Sequence, residues 1–147
     1  MSNADIKMAV VVSEFNQEIT EPLLQSTLST LINHGISREK ITITHVPGAV
    51  EIPLTAKLLA IKKKYDAIIC LGAVIRGETD HYKYVCEQVS QGCQNVMMEF
   101  NVPVIFGVLT TKNVKLAKKR ALGIKNNKGI ESAEAAIQMI KVVKSLS

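Results

Sequence analysis

Apolar residues along this chain arrive in four short runs, and between the runs the spacing of apolar positions lengthens from strand-like to helix-like. KMAVVVS (7–13), DAIICLGAVI (66–75) and VPVIFGVLT (102–110) are nearly continuous in aliphatic and β-branched residues, whereas KITITHV (40–46) alternates. Runs of that length bounded by turn residues read as strands, and those apolar on both faces belong to a sheet covered on both sides. Between them, Thr20 is a candidate cap with Pro22 in the first turn of a helix that reaches His34 and stops at Gly35. A second helix follows Pro47-Gly48 and runs to about position 64, with Pro53 in its first turn where proline is tolerated. Further helical patterns cover 80–100, 113–121 and 130–145.

Strands alternating with helices imply parallel pairing, because each crossover must return the chain to the same end of the sheet. Right-handed crossovers then predict an α/β fold: a three-layer αβα sandwich around a four-stranded parallel sheet, flavodoxin-like, in one domain over residues 1–147. Such sheets bind ligands beyond the carboxyl ends of their strands, where the strand order reverses. Here those ends are 13–16, 47–51, 72–81 and 106–111, and the four segments are expected to converge.

Composition narrows the function classes. Apolar residues are 47% and charged residues 21% of the chain, as in ordinary globular proteins. No stretch approaches the apolar length of a membrane span, and the first residues lack a secretory apolar region, so the expected compartment is the cytoplasm. Cys70, Cys86 and Cys93 have no C-x-x-C spacing and read as buried, reduced thiols. His34, His45 and His81 are scattered, without the spacing of metal ligands. The net charge of +5 is concentrated in Lys112, Lys115, Lys118, Lys119, Arg120, Lys125 and Lys128. That segment has no aromatic residue on which a base could stack and no nucleic-acid motif, which disfavours nucleic acid as a partner. A solvated helix face or a site for a small anion remains.

Three clusters at the strand ends carry candidate chemistry. In RGETDH, Arg76 to His81, a glycine turn leads into a helix start whose open N–H groups suit an anion, and His81 stands in the first turn as a candidate proton shuttle. The competing reading makes His81 a half-buried packing residue, since Val85 and Val89 continue its stripe. In Pro47-Gly48-Ala49-Val50-Glu51, loop amides and the Glu51 carboxylate could bind a polyol or heterocycle, or Glu51 could simply favour the helix start. Phe15 could be core or a stacking wall for a flat ring, while the spacing of Phe106 favours core.

Taken in order, FNQEIT, VPGAVEIPLTAKLL, YDAIICLGAVIRGETDHYKYV, VPVIFGVLTT and the AKKRA…NKG segment closely resemble the 6,7-dimethyl-8-ribityllumazine synthases, from about Lys7 to Met139. The resemblance implies a transferase of riboflavin biosynthesis that condenses 5-amino-6-(D-ribitylamino)uracil with 3,4-dihydroxy-2-butanone 4-phosphate, with no metal or organic cofactor. Carried onto this chain, it implies that Phe15 stacks on the pyrimidine and that Ala49, Val50 and Glu51 meet the ribityl-pyrimidine substrate. It implies ring contacts from Ala73, Val74 and Ile75, phosphate contacts from Glu78 and Thr79, and proton transfer by His81. Phe106 and Arg120 match positions that reach in from a neighbouring subunit, Arg120 to the phosphate.

The implied assembly is at least a homopentamer, with the larger closed forms and a riboflavin synthase partner left open. The chain departs from the family pattern just after Arg120. Its glycine and first lysine are displaced by one, to Gly123 and Lys125, and Asn126 stands where the family has glycine, which leaves the roles of Lys125 and Lys128 open. The alternative from another class is a non-catalytic flavin- or lumazine-binding protein, against which the joint presence of His81 and Arg120 argues.

Overall fold

A computed structural model describes residues 2–147. In chain order it contains β1 (Met8–Ser13), α1 (Gln17–Asn33), β2 (Ile41–Val46), α2 (Ile52–Ile61), β3 (Ala67–Ile75), α3 (His81–Phe100), β4 (Val104–Thr111), α4 (Val114–Ala121) and α5 (Lys128–Ser145). All pairings are parallel and the order is β2-β1-β3-β4, so the chain leaves β1 for one side and later returns to its other side. The order therefore reverses at β1 and β3, as the expected doubly wound topology requires.

Period-two alternation divides the strands between two cores. Ala9, Val11, Ile68 and Cys70 face α2 and α3, packing with Ile52, Ala56, Leu59, Val89, Cys93 and Val96. Met8, Val10, Val12, Ala67, Ile69 and Leu71 face α1 and α5, packing with Leu24, Leu31, Ala133, Ala136, Ile137 and Ile140. Full burial of each large aliphatic side chain contributes roughly 1.5–3 kcal/mol, so both faces of the sheet must stay covered. A third cluster seats α4 through Ala117 and Ala121 against Ile19, Leu23, Ala73 and Leu109. Two helix crossings pass over a glycine: a β-carbon on Gly92 would lie 2.6 Å from Pro53 Cβ, and one on Gly129 would lie 2.6 Å from the Leu23 carbonyl oxygen.

Element boundaries differ from the sequence reading in places. Thr20 does not cap α1: the helix begins at Gln17, because Asn16 turns left-handed (φ 68°) and its carbonyl accepts from the amides of Ile19 and Thr20. Thr20 is buried within the helix, and Pro22 falls in the second turn, where it forgoes one backbone bond to the exposed Glu18. Helix α2 ends at Ile61 rather than near position 64, since Lys62, Lys63 and Lys64 have nothing apolar to lay on the sheet and Lys63 turns left-handed (φ 54°). Helix α5 begins at Lys128 rather than position 130, because Asn127 caps it by accepting from the amides of Gly129 and Ile130. No helix among the described residues is long and apolar enough to cross a membrane.

Candidate active site

Beyond the carboxyl ends of β1 and β3 lies a cavity of about 290 Å³. Phe15 and Asn16 reach it from the end of β1, Gly48 to Val50 from the end of β2, and Ala73 to Ile75 from the end of β3. Gly77, Thr79, His81, Tyr82 and Val85 close it from the β3–α3 turn and the first turns of α3. Of the residues singled out from sequence, the fold thus brings Phe15, Ala49, Val50, Ala73, Val74, Ile75, Thr79 and His81 to one place.

Burial separates the competing readings of two of them. Phe15 is 70% exposed and is not core; it lines the cavity together with the buried aliphatic residues Ala49, Ala73 and Val74. His81 is exposed while Val85 is half-buried and Val89 fully buried, so the packing stripe begins one turn after the histidine. An exposed aromatic side chain beside an aliphatic lining suits a flat ring, and an exposed imidazole in the same lining suits proton exchange with it.

Backbone geometry supplies the rest. Asp80 precedes α3 without making a side-chain cap, and Thr79 Oγ1 accepts from the His81 amide only at 3.3 Å, so this helix start keeps its affinity for a negative charge. Glu51 lies beside the cavity rather than in its lining; its Oε1 accepts from the Gly48 amide at 2.8 Å, which fixes the loop and leaves Oε2 outside that bond. The Asn16 side-chain amide donates to the Ala73 carbonyl at 3.3 Å and ties the end of β1 to that of β3.

Glu78, Phe106 and Arg120 do not line this cavity. Glu78 is exposed in the turn. Phe106 is half-buried within β4 and packs on the core under α2 and α3. Arg120 lies at the end of α4, with its Nη2 3.1 Å from Glu131 Oε2. The segment 106–111 thus does not join the other three strand ends, because β4 is an edge strand beyond β3 while the cavity opens on the β1 side.

Asn16, Gly48 and Gly77 line the cavity as well and fall within the expected strand-end segments, whereas Tyr82 and Val85 lie beyond them on α3 and were not foreseen. The signal for those two is helical spacing, since Val85 follows His81 by one turn of α3 and Tyr82 adjoins it. The Tyr82 phenol is pushed up by partial burial and by the nearby Cys86 thiol. Cys70 and Cys93 are buried free thiols in contact between β3 and α3. The hydrogen bond to Cys93 and burial hold Cys70 well above its ordinary pKa, so it stays protonated. Cys86 is only half-buried, a partial departure from three buried thiols.

Fold and cavity together define a doubly wound α/β protein with a small-molecule site at its topological switch point. A family model described as 6,7-dimethyl-8-ribityllumazine synthase matches residues 5–144. The chain is also 54% identical over 146 residues to proteins named 6,7-dimethyl-8-ribityllumazine synthase from Coxiella burnetii strains CbuG_Q212 and RSA 493 / Nine Mile phase I, covering 99% of this chain and 97% of each relative. The protein of that name from strain Dugway 5J108-111 matches to the same extent. The chain belongs to the 6,7-dimethyl-8-ribityllumazine synthase family, whose members are transferases of riboflavin biosynthesis.

Proposed function

We propose that this chain, acting as a single domain in the cytoplasm, condenses 5-amino-6-(D-ribitylamino)uracil with 3,4-dihydroxy-2-butanone 4-phosphate. The products are 6,7-dimethyl-8-ribityllumazine, inorganic phosphate and water, and no metal or organic cofactor takes part. The observation that carries this reading is the pairing of an exposed Phe15 and an exposed His81 across one strand-end cavity in a chain of this family.

Phe15 stacks on the pyrimidine, above Ala49 and Val50, and the chain at Ala73, Val74 and Ile75 addresses the ring edge. Glu51 accepts from ribityl hydroxyls through the carboxylate oxygen not engaged by Gly48. Imine formation, phosphate elimination and ring closure each move a proton, and His81 serves those transfers at the cavity wall. Glu78, Thr79 and the open start of α3 receive the phosphate, whose departure is easier while its charge stays neutralised. Holding both substrates in one cavity removes much of the entropic barrier to their union.

Arg120 is the cation for that phosphate and reaches it from a neighbouring copy, as does Phe106, in a homopentamer. Support comes from the position of Arg120 outside its own chain's cavity, and from exposed Leu54, Leu58 and Ile61, which form one apolar stripe on α2 that a neighbour would cover. The test is to incubate purified protein with both substrates and follow lumazine fluorescence. Lumazine formation dependent on both substrates is the expected result. Tight binding of lumazine or riboflavin with no turnover would instead assign a binding protein.

A further inference from the structure

Of the seven cations between Lys112 and Lys128, Arg120 is the one held by a carboxylate. Its Nε donates to the Asn126 carbonyl at 2.7 Å, and its Nη2 donates to both carboxylate oxygens of Glu131 at 3.1 Å. These contacts engage one edge of the planar guanidinium and leave Nη1 outside them. No acid stands between Glu99 and Glu131 in the sequence, and of those seven cations Glu131 pairs with Arg120 alone.

Both holding groups are themselves fixed. Glu131 lies in the first turn of α5, where the helix dipole favours a carboxylate, and its amide donates to the Asn127 carbonyl at 3.1 Å. Asn126 is left-handed (φ 54°), and Asn127 beside it is 2% exposed. The Asn127 amide nitrogen donates to the carbonyls of Ala121 and Gly123 at 3.2 and 2.8 Å, while its oxygen accepts from Gly129 and Ile130 at 2.8 and 3.1 Å. The turn that presents the Asn126 carbonyl is thereby locked to the start of α5. The Arg120 and Glu131 side chains are 38% and 47% exposed, and an ion pair so open to solvent adds little to folding. What the pair does is fix a direction.

We propose that Glu131, with the Asn126 carbonyl, is a positioning residue: it holds the Arg120 guanidinium so that the free Nη1 side meets the substrate phosphate in the adjacent copy's cavity. This rests on the reading above that Arg120 binds that phosphate. Steady-state kinetics of the assembled enzyme with both substrates test it, using Glu131→Ala, Glu131→Gln, Arg120→Ala and the double variant. Glu131→Ala should raise KM for the butanone phosphate by roughly tenfold, the scale of one lost charge-assisted hydrogen bond, with KM for the pyrimidine and the melting temperature unchanged. Glu131→Gln, which keeps one acceptor oxygen for Nη2, should recover part of the loss. In the Arg120→Ala background, removing Glu131 should change nothing further. An unchanged or lowered KM in Glu131→Ala, or losses that add in the double variant, would overturn the positioning role. If Arg120→Ala itself left that KM unchanged, the phosphate reading would fall and this proposal with it.

Discussion

The strand-end cavity and the turn between α4 and α5 are both candidate parts of one site, yet they are built in opposite ways. The cavity gathers residues from the ends of β1, β2 and β3 and from the start of α3, and the parallel ladder fixes the spacing of those strand ends. The turn has no ladder. One buried side chain, Asn127, satisfies two carbonyls and two amides there, and Arg120 is aimed by what that arrangement presents. The ladder positions the strand ends through topology, and His81 follows from where α3 begins after β3. The turn positions its cation through particular side chains, and single substitutions should disturb it.

The largest expected effect falls in the cavity. His81→Ala should lower turnover by roughly 10²-fold with little change in either KM, as for loss of a general acid–base group. Unchanged turnover in a folded variant would return His81 to a bystander's role at the helix start.

Phe15→Ala separates the two regions by substrate. Affinity for the pyrimidine should fall by about 1–3 kcal/mol, the scale of base–aromatic stacking, while KM for the butanone phosphate and the melting temperature hold. Because Phe15 is 70% exposed, a fall in melting temperature would contradict its place as a free wall.

Asn127→Ala should do the reverse. Loss of a helix cap and exposure of buried carbonyls to no partner should destabilise the fold by about 1–3 kcal/mol in denaturant titration. KM for the butanone phosphate should rise while pyrimidine affinity holds. Equal losses for both substrates would show that the turn and the cavity are not separately built.

The smallest effect concerns the departure from the family pattern. Gly123 (φ 79°) and Asn126 (φ 54°) both occupy left-handed positions of this turn. Glycine is free there and asparagine is among the residues that tolerate the conformation best, so Asn126 fits a position for which the resemblance implies glycine. Asn126→Gly should change stability by less than about 1 kcal/mol and leave both KM values intact, because Arg120 bonds the backbone carbonyl and not the side chain. A raised phosphate KM in this variant would mean that the asparagine side chain itself is needed.

These contrasts also explain what the sequence could reveal. The apolar runs located all four strands, and the continuity of Met8–Ser13 and Ala67–Ile75 reflects a sheet whose two faces are both buried. Periodicity misjudged helix starts where a side chain or a left-handed residue decides, as at Asn16 and Asn127. The strand-end rule gathered Phe15, Ala49 to Val50, Ala73 to Ile75, Thr79 and His81 without further information. It overreached at 106–111, since the rule does not say on which side of β3 the cavity opens. The Arg120–Glu131 pair was not legible: its partners are eleven residues apart across a turn whose shape depends on Asn127.

The proposed site joins these two regions across neighbouring copies, with His81 from one chain and Arg120 from the next. Its most direct test co-expresses His81→Ala and Arg120→Ala chains and assays the mixed assemblies, verified by mass spectrometry, for lumazine formation. Random mixing in a cyclic oligomer pairs an intact His81 with an intact Arg120 at about a quarter of head-to-tail interfaces. Activity well above that of either parent is predicted, although both input chains are defective. Mixed assemblies showing only the average of the two parents would contradict a site shared between chains.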